Sequence, residues 1–151
     1  MDELLKELRV EHELVSQTLA GLEEALSRGS LSVVERAAIA TFVMNAYNGI
    51  ENMLKRVFKH RALPLPDSET WHKDLLQISH EAGIITEELL GKLDEYRAFR
   101  HFFVHGYGIL LDERKLLPLA EGLQPVWEVF LGELSAYLGV ANLLGEEGNT
   151  T

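Results

Sequence analysis

The stretch Arg100-His-Phe-Phe-Val-His105-Gly-Tyr107 places a permanent cation, a proton carrier and a phenol within eight residues. An arginine guanidinium is a planar fork of N–H donors that matches two oxygens of a phosphate. A histidine side chain ordinarily titrates near pH ~6.5, so it can accept and return protons at neutral pH. These residue types are the parts of a phosphoryl-transfer site that works without a metal ion.

A metal site is the first alternative for the same stretch. His101 and His105 are four residues apart, a spacing that can bind zinc when it lies on a helix. The glutamate of the HExxH pattern is missing, no third ligand is evident, and the chain contains no cysteine. The sequence therefore predicts no metal and no cofactor.

A purely structural role is the second alternative. Arg97 and Arg100 could be solvated ion-pair partners of Asp94 or Glu95. His105 could cap the C-terminal end of a helix, where a cation complements the helix dipole. Residue types alone do not separate this interpretation from a catalytic one.

The charge of the chain is unevenly distributed. Its formal net charge of −10 argues against a general nucleic-acid binder. However, residues 52–66 contain no acid and carry four bases, and residues 96–111 add Arg97 and Arg100 without an acid. If the fold brings the two segments together, they form a local anion site. The first segment therefore supplies candidate RNA-binding residues, which are Lys55, Arg56, Lys59 and Arg61; alternatively, these cations only complement the end of a helix.

Apolar residues recur at helical spacing along nearly the whole chain. Ser32-Val-Val-Glu35 has the pattern of a capping box that opens a helix. The predicted helices cover residues 2–28, 32–60, 68–81, 86–105 and 114–144. We therefore expect an all-α fold, a bundle of four to five helices.

The domain organisation that we expect is simple. Residues 1–145 would form a single helical domain, and residues 146–151 a flexible tail. No run of about 18 apolar residues suggests a membrane span, and no secretion signal is evident. We expect a soluble, cytoplasmic protein that does not bind membranes.

Helix geometry sets a condition on the motif. On an ideal α-helix, residues five apart lie about 140° apart around the axis, so Arg100 and His105 cannot easily face one atom. Gly106 and Gly108 would loosen the helix end and leave Tyr107 on an exposed turn. A second copy of the motif across a homodimer interface could complete the site.

The chain resembles the HEPN superfamily, whose nuclease members carry an arginine, four to six residues and a histidine at the end of an inner helix. The added tyrosine makes Arg100-xxxx-His105-x-Tyr107 similar to the HepT toxins of HepT/MntA (HEPN/MNT) toxin–antitoxin systems. The segments Asn48-Gly-Ile-Glu51-Asn52 and Trp71-His-Lys-Asp-Leu-Leu76 also resemble that family. The chain departs from the family at His101, where an asparagine is usual.

The resemblance implies a metal-independent ribonuclease that acts as a homodimer in a type VII-like system, on RNA such as tRNA. His105 would take the proton of a ribose 2′-hydroxyl, which attacks the adjacent phosphate and leaves a cyclic phosphate and a 5′-hydroxyl. Arg100 would neutralise charge on the phosphate oxygens, with Arg97 and His101 in support.

The resemblance also implies a partner. An MntA-like minimal nucleotidyltransferase would neutralise the toxin by AMPylation, transferring AMP from ATP to Tyr107. The alternative function is a catalytically silent HEPN-type module that binds a nucleotide or a protein.

Overall fold

The computed structural model describes residues 1–29, 32–107 and 112–143. Within these ranges every regular element is helical, which confirms the predicted all-α bundle, and no helix is both long and apolar enough to cross a membrane. The predicted tail, residues 146–151, and the domain boundary before it lie outside the described ranges. The α-helices are α1 (Asp2–Ser27), α2 (Val33–His60), α3 (Trp71–Glu81), α4 (Glu87–Phe102) and α5 (Glu113–Leu138), and the π-helical turn Phe103–Tyr107 follows α4.

Three helix ends differ from the prediction. Helix α3 begins at Trp71 and not at Ser68. The hydroxyls of Ser68 and Thr70 both donate to the Asp74 carboxylate in its first turn, and neither caps a backbone N–H group. Helix α5 ends at Leu138, where Gly139 adopts a left-handed conformation with φ of 74°. At the motif, the predicted turn at Gly106 is replaced by a continuous π-helical turn.

Helix α2 is the central element of the bundle, since it packs against each of the other four α-helices. The Ser32 side chain accepts a hydrogen bond from the backbone N–H of Glu35, as the predicted capping box requires. The buried residues of α2 come from most sides of the helix, which is typical of a helix in the middle of a core. They are Ile39, Ala40, Val43, Ala46, Tyr47, Gly49, Ile50, Glu51, Met53, Leu54, Val57 and Phe58.

Helices α1 and α2 approach closely at Gly49. A Cβ atom added there would lie 2.3 Å from Cγ2 of Val15, well inside van der Waals contact. Two turns later on α2, Arg56 donates from Nη1 to Glu7 at 2.8 Å and from Nη2 to Glu11 at 3.4 Å. One side of α2 is therefore bound to α1, and a different side remains for α3 and α4.

We expect Gly49→Ala to destabilise the fold by about 1–3 kcal/mol, because the added methyl forces the short, branched Val15 or the helix backbone to move. Gly91→Ala is the matched control. It also lies within a helix, but nothing stands within 4 Å of its added Cβ, so the better helix propensity of alanine should add up to about 1 kcal/mol. Urea unfolding of both variants checks this. Equal stability of Gly49→Ala and the wild type would contradict the close approach.

Candidate active site

Helix α2 presents polar side chains to α3 and α4 along one face. Asn48, Glu51 and Lys55 are spaced by three and four residues, so they share one side of the helix. Asn48 contacts Arg100 of α4, Glu51 contacts His72 of α3, and Lys55 contacts Trp71 of α3. The face therefore joins three helices at the start of the motif.

Arg100 is held by two uncharged acceptors. Its Nε–H donates to Oδ1 of Asn48 at 2.7 Å, and its Nη1 lies 3.3 Å from Nε2 of His72. Among the described residues, no carboxylate pairs with this half-buried guanidinium, and no hydrogen bond involves its Nη2. The orientation of the guanidinium is thus fixed on one side while its other N–H donors can bind an anion.

His72 links Arg100 to a buried carboxylate. Its Nδ1 lies 2.9 Å from both oxygens of Glu51, a residue only 2% exposed. Because an arginine N–H must donate to Nε2, the imidazole proton belongs on Nδ1, where it donates to Glu51. The ring also stacks on Trp71 with 3.6 Å between centroids, and the Lys55 ammonium stands 4.2 Å from the Trp71 ring.

The sequence alone does not indicate that His72 belongs to the candidate site. The Trp71-to-Leu76 segment was noted only for its family resemblance. No spacing rule connects a residue at the start of α3 with one near the end of α4, so the contact is visible only in the folded chain.

Tyr47 of α2 is fully buried, and its phenol lies near Glu51 of this cluster. Burial raises the pKa of its phenol well above the ordinary value, and the nearby Glu51 carboxylate raises that pKa further. Its hydroxyl oxygen has no partner with good hydrogen-bond geometry among the described residues. The phenol therefore stays protonated, and Glu51 supplies the negative charge behind His72.

His105 points away from this cluster. It lies in the π-helical turn, it is exposed, and its ring packs against the exposed ring of His101 with 4.1 Å between centroids. No hydrogen bond joins it to Arg100, which faces α2 and α3. The described part of the chain also holds no group of three or more side chains suited to a metal ion. Within one subunit, Arg100 and His105 therefore face different directions. Tyr107 is the last residue of the π-helical turn that contains His105.

Arg97 has the structural role that the sequence left open. Its Nε donates to Oδ1 of Asp94 at 2.6 Å, one turn earlier on α4. Its positive charge is therefore partly compensated within the helix. Arg100, one turn later, has no such carboxylate partner.

The four cations at the end of α2 do not form one surface. Arg56 is bound to α1, where its hydrogen bond lowers the pKa of Glu7. The Arg61 guanidinium stands 5.4 Å from the ring of Tyr137 on α5, and Lys59 is exposed. Only Lys55 adjoins the cluster around Arg100.

A groove of about 590 Å³ runs between α4 and the start of α5. Its lining is mostly apolar and includes four charged side chains. The apolar lining comes from Ala98, Phe99, Phe102, Leu116, Pro118 and Leu119, and the charged lining from Glu95, Asp112, Arg114 and Lys115. The groove lies beside the C-terminal half of α4 and therefore beside the helix that carries Arg100.

Comparison with known proteins gives one match. A family model described as HepT-like protein matches residues 38–141, more than half of the chain. The matched span contains most of α2 and all of α3, α4 and α5, including the Arg100-xxxx-His105-x-Tyr107 motif and His72. Searches of curated proteins and of solved structures found no match.

Proposed function

Since the chain belongs to the HepT-like family of the HEPN superfamily, we propose that it is a metal-independent endoribonuclease toxin of a type VII-like toxin–antitoxin system. Arg100 and His105 are the catalytic residues of this proposal. The observation that carries it is the state of Arg100, whose guanidinium is oriented by neutral acceptors and keeps its charge and free N–H donors.

The electrostatics of Arg100 favour a phosphate ligand. Arg56 and Arg97 donate directly to carboxylates, which compensate their charge. Arg100 donates to an amide oxygen and an imidazole nitrogen, and the Glu51 carboxylate stands on the far side of that imidazole. Donors that are oriented in advance stabilise developing negative charge without reorganisation, which suits the pentacoordinate phosphorus of RNA cleavage.

The reaction is an internal transfer of a phosphoryl group. His105 takes the 2′-hydroxyl proton, the 2′-oxygen bonds to phosphorus, and the bond from phosphorus to the 5′-oxygen breaks. A protonated imidazole returns a proton to that 5′-oxygen. The products are a 2′,3′-cyclic phosphate and a 5′-hydroxyl, so the substrate is RNA and not DNA. Arg100 neutralises the non-bridging oxygens throughout.

A homodimer reconciles this reaction with the geometry of one subunit. Arg100 faces the bundle, whereas His105 is exposed. Between them, the large apolar side chains of Phe102 and Val104 are 39% and 47% exposed. A symmetric partner would cover these side chains and bring a second motif to the same cleft.

Control of the toxin belongs to the same proposal. The partner is an MntA-like minimal nucleotidyltransferase that transfers AMP from ATP to Tyr107, two residues after His105. Both proteins would act in the cytoplasm. An attached AMP places a negative phosphate at the end of the motif, where it repels RNA and competes for Arg100.

Incubation of the pure protein with total tRNA and EDTA tests the proposal. We expect cleavage that survives chelation and yields fragments with cyclic phosphate and 5′-hydroxyl ends, because side chains accept the 2′-hydroxyl proton, return a proton to the 5′-oxygen and supply the compensating charge. End analysis uses polynucleotide kinase labelling, with the double variant Arg100→Ala/His105→Ala as the control for contaminating nucleases. Loss of cleavage on chelation and its recovery with zinc would instead favour a metal site at His101 and His105.

One observation favours a second candidate function. The apolar groove of about 590 Å³ beside α4 is large enough for a nucleotide or for the side chains of a partner helix. A catalytically silent binding module would use this groove and would leave tRNA intact at any protein concentration.

A further inference from the structure

We propose that His72 is a positioning residue, which orients the guanidinium of Arg100 for its phosphate ligand and is itself oriented by Glu51. The value of this orientation for RNA cleavage rests on the proposed function. The orientation itself depends only on the contacts between α2, α3 and α4 and can be measured separately.

Two contacts are needed to fix a guanidinium. The hydrogen bond from Nε–H to Asn48 anchors one edge at 2.7 Å but does not oppose the slow half-turn about the Nε–Cζ bond that exchanges Nη1 and Nη2. The contact between Nη1 and Nε2 of His72, at 3.3 Å, holds a second point of the same plane and prevents that rotation. With both in place, Nη2 keeps N–H donors that no hydrogen bond among the described residues uses, and a phosphate oxygen can accept from them.

An imidazole suits this position because it accepts a hydrogen bond without adding negative charge. A carboxylate in its place would compensate the charge of Arg100, as Asp94 does for Arg97. Glu51 nevertheless determines which nitrogen of His72 carries the proton, since it accepts from Nδ1 and leaves Nε2 unprotonated. The carboxylate therefore acts on Arg100 through the tautomer of the imidazole.

The arrangement holds only while His72 is neutral. A proton on Nε2 would place an N–H group against the Arg100 guanidinium, and two cations would face each other. The charged groups around the ring are Glu51 from α2, Arg100 from α4 and Lys55, which stands over the stacked Trp71. The orientation of Arg100 therefore requires the tautomer of His72 that carries its proton on Nδ1 alone.

The test compares two variants by ¹H–¹⁵N NMR of arginine side chains. His72→Ala removes the acceptor, whereas His72→Gln keeps an amide oxygen within reach of Nη1 and cannot be protonated. In the wild type at neutral pH, we expect separate Nη1 and Nη2 resonances for Arg100, because its head does not rotate. They should merge in His72→Ala and stay separate in His72→Gln. The Arg100→Lys spectrum identifies the signals.

His80→Ala is the matched control. His80 also lies on α3 and bonds through Nδ1 to the backbone oxygen of Ile85 at 3.1 Å, but it does not contact Arg100. A general loosening of α3 would affect His80→Ala and His72→Ala alike. A positioning role affects only His72→Ala, and thermal unfolding shows whether either variant is folded.

A kinetic comparison connects this orientation to cleavage. Misplacing a group that stabilises the transition state lowers kcat by up to about 10²-fold, so we expect a fall of that order in His72→Ala with KM little changed, and near-normal kcat in His72→Gln. Separate resonances in His72→Ala, or normal kcat despite merged ones, would overturn the proposal. If the resonances behave as expected but wild-type protein cleaves no RNA, the positioning of Arg100 stands and the ribonuclease proposal fails.

Discussion

Replacing Arg100 or His105 with alanine is expected to lower the rate of RNA cleavage at least about 10²-fold while the fold remains intact. In the proposed reaction, Arg100→Ala removes the cation that stabilises charge on the phosphate, and His105→Ala removes the group that transfers the proton. Neither side chain belongs to the buried apolar core. Initial rates on tRNA and thermal unfolding curves check both parts. Arg97→Ala is the matched control, and its effect should be smaller because Asp94 already compensates that charge.

Cleavage by either alanine variant near the wild-type rate would show that the residue is not catalytic. The two variants also test where the site is formed. If it combines Arg100 of one subunit with His105 of the other, mixed dimers of the two inactive proteins contain one intact site and regain part of the activity. A fully active monomer in sedimentation experiments would contradict the composite site, although it would leave both catalytic assignments in place.

The helices of this chain follow from local rules. Apolar residues at three- and four-residue spacing predict α1 and α2 almost to their ends, because a buried stripe must return to the same side of the helix. The capping box at Ser32 was correct for the same reason, since its two partners are three residues apart. The ends of α3, α4 and α5 were less predictable. The π-helical turn follows α4 where a turn was expected, and Gly139 in a left-handed conformation ends α5.

The site was only half predictable, since its contacts cross between helices. Arg100 and His105 were identified from residue type and spacing, but His72 reaches Arg100 across 28 positions of sequence. The division of the basic cluster could have been foreseen in part. Lys55 and Arg56 are adjacent on an α-helix and therefore point about 100° apart, so they cannot share one surface. Sequence spacing does not tell which helix each of these two side chains contacts. Lys55 contacts α3 and Arg56 contacts α1.

Burial makes two of the tyrosines poor candidates for AMPylation. The chain has four of them. Tyr47 and Tyr96 are buried, and the Tyr96 hydroxyl donates to the backbone oxygen of Leu119 at 2.6 Å. Burial also raises the pKa of both phenols, so neither forms a phenolate readily. Tyr137 is half-buried beneath Arg61 on α5, and only Tyr107 lies within the motif.

We expect the partner nucleotidyltransferase and ATP to add AMP to Tyr107 and to abolish RNA cleavage. The phosphate of AMP would be attached two residues from His105, and its negative charge would repel the RNA backbone there. Tyr107→Phe should remain active and escape silencing, because the ring is kept and only the acceptor oxygen is lost. Tyr137→Phe is the matched control and should still be modified and silenced. Intact mass and peptide mapping decide the result; silencing of Tyr107→Phe by the partner and ATP would show that another residue is the switch.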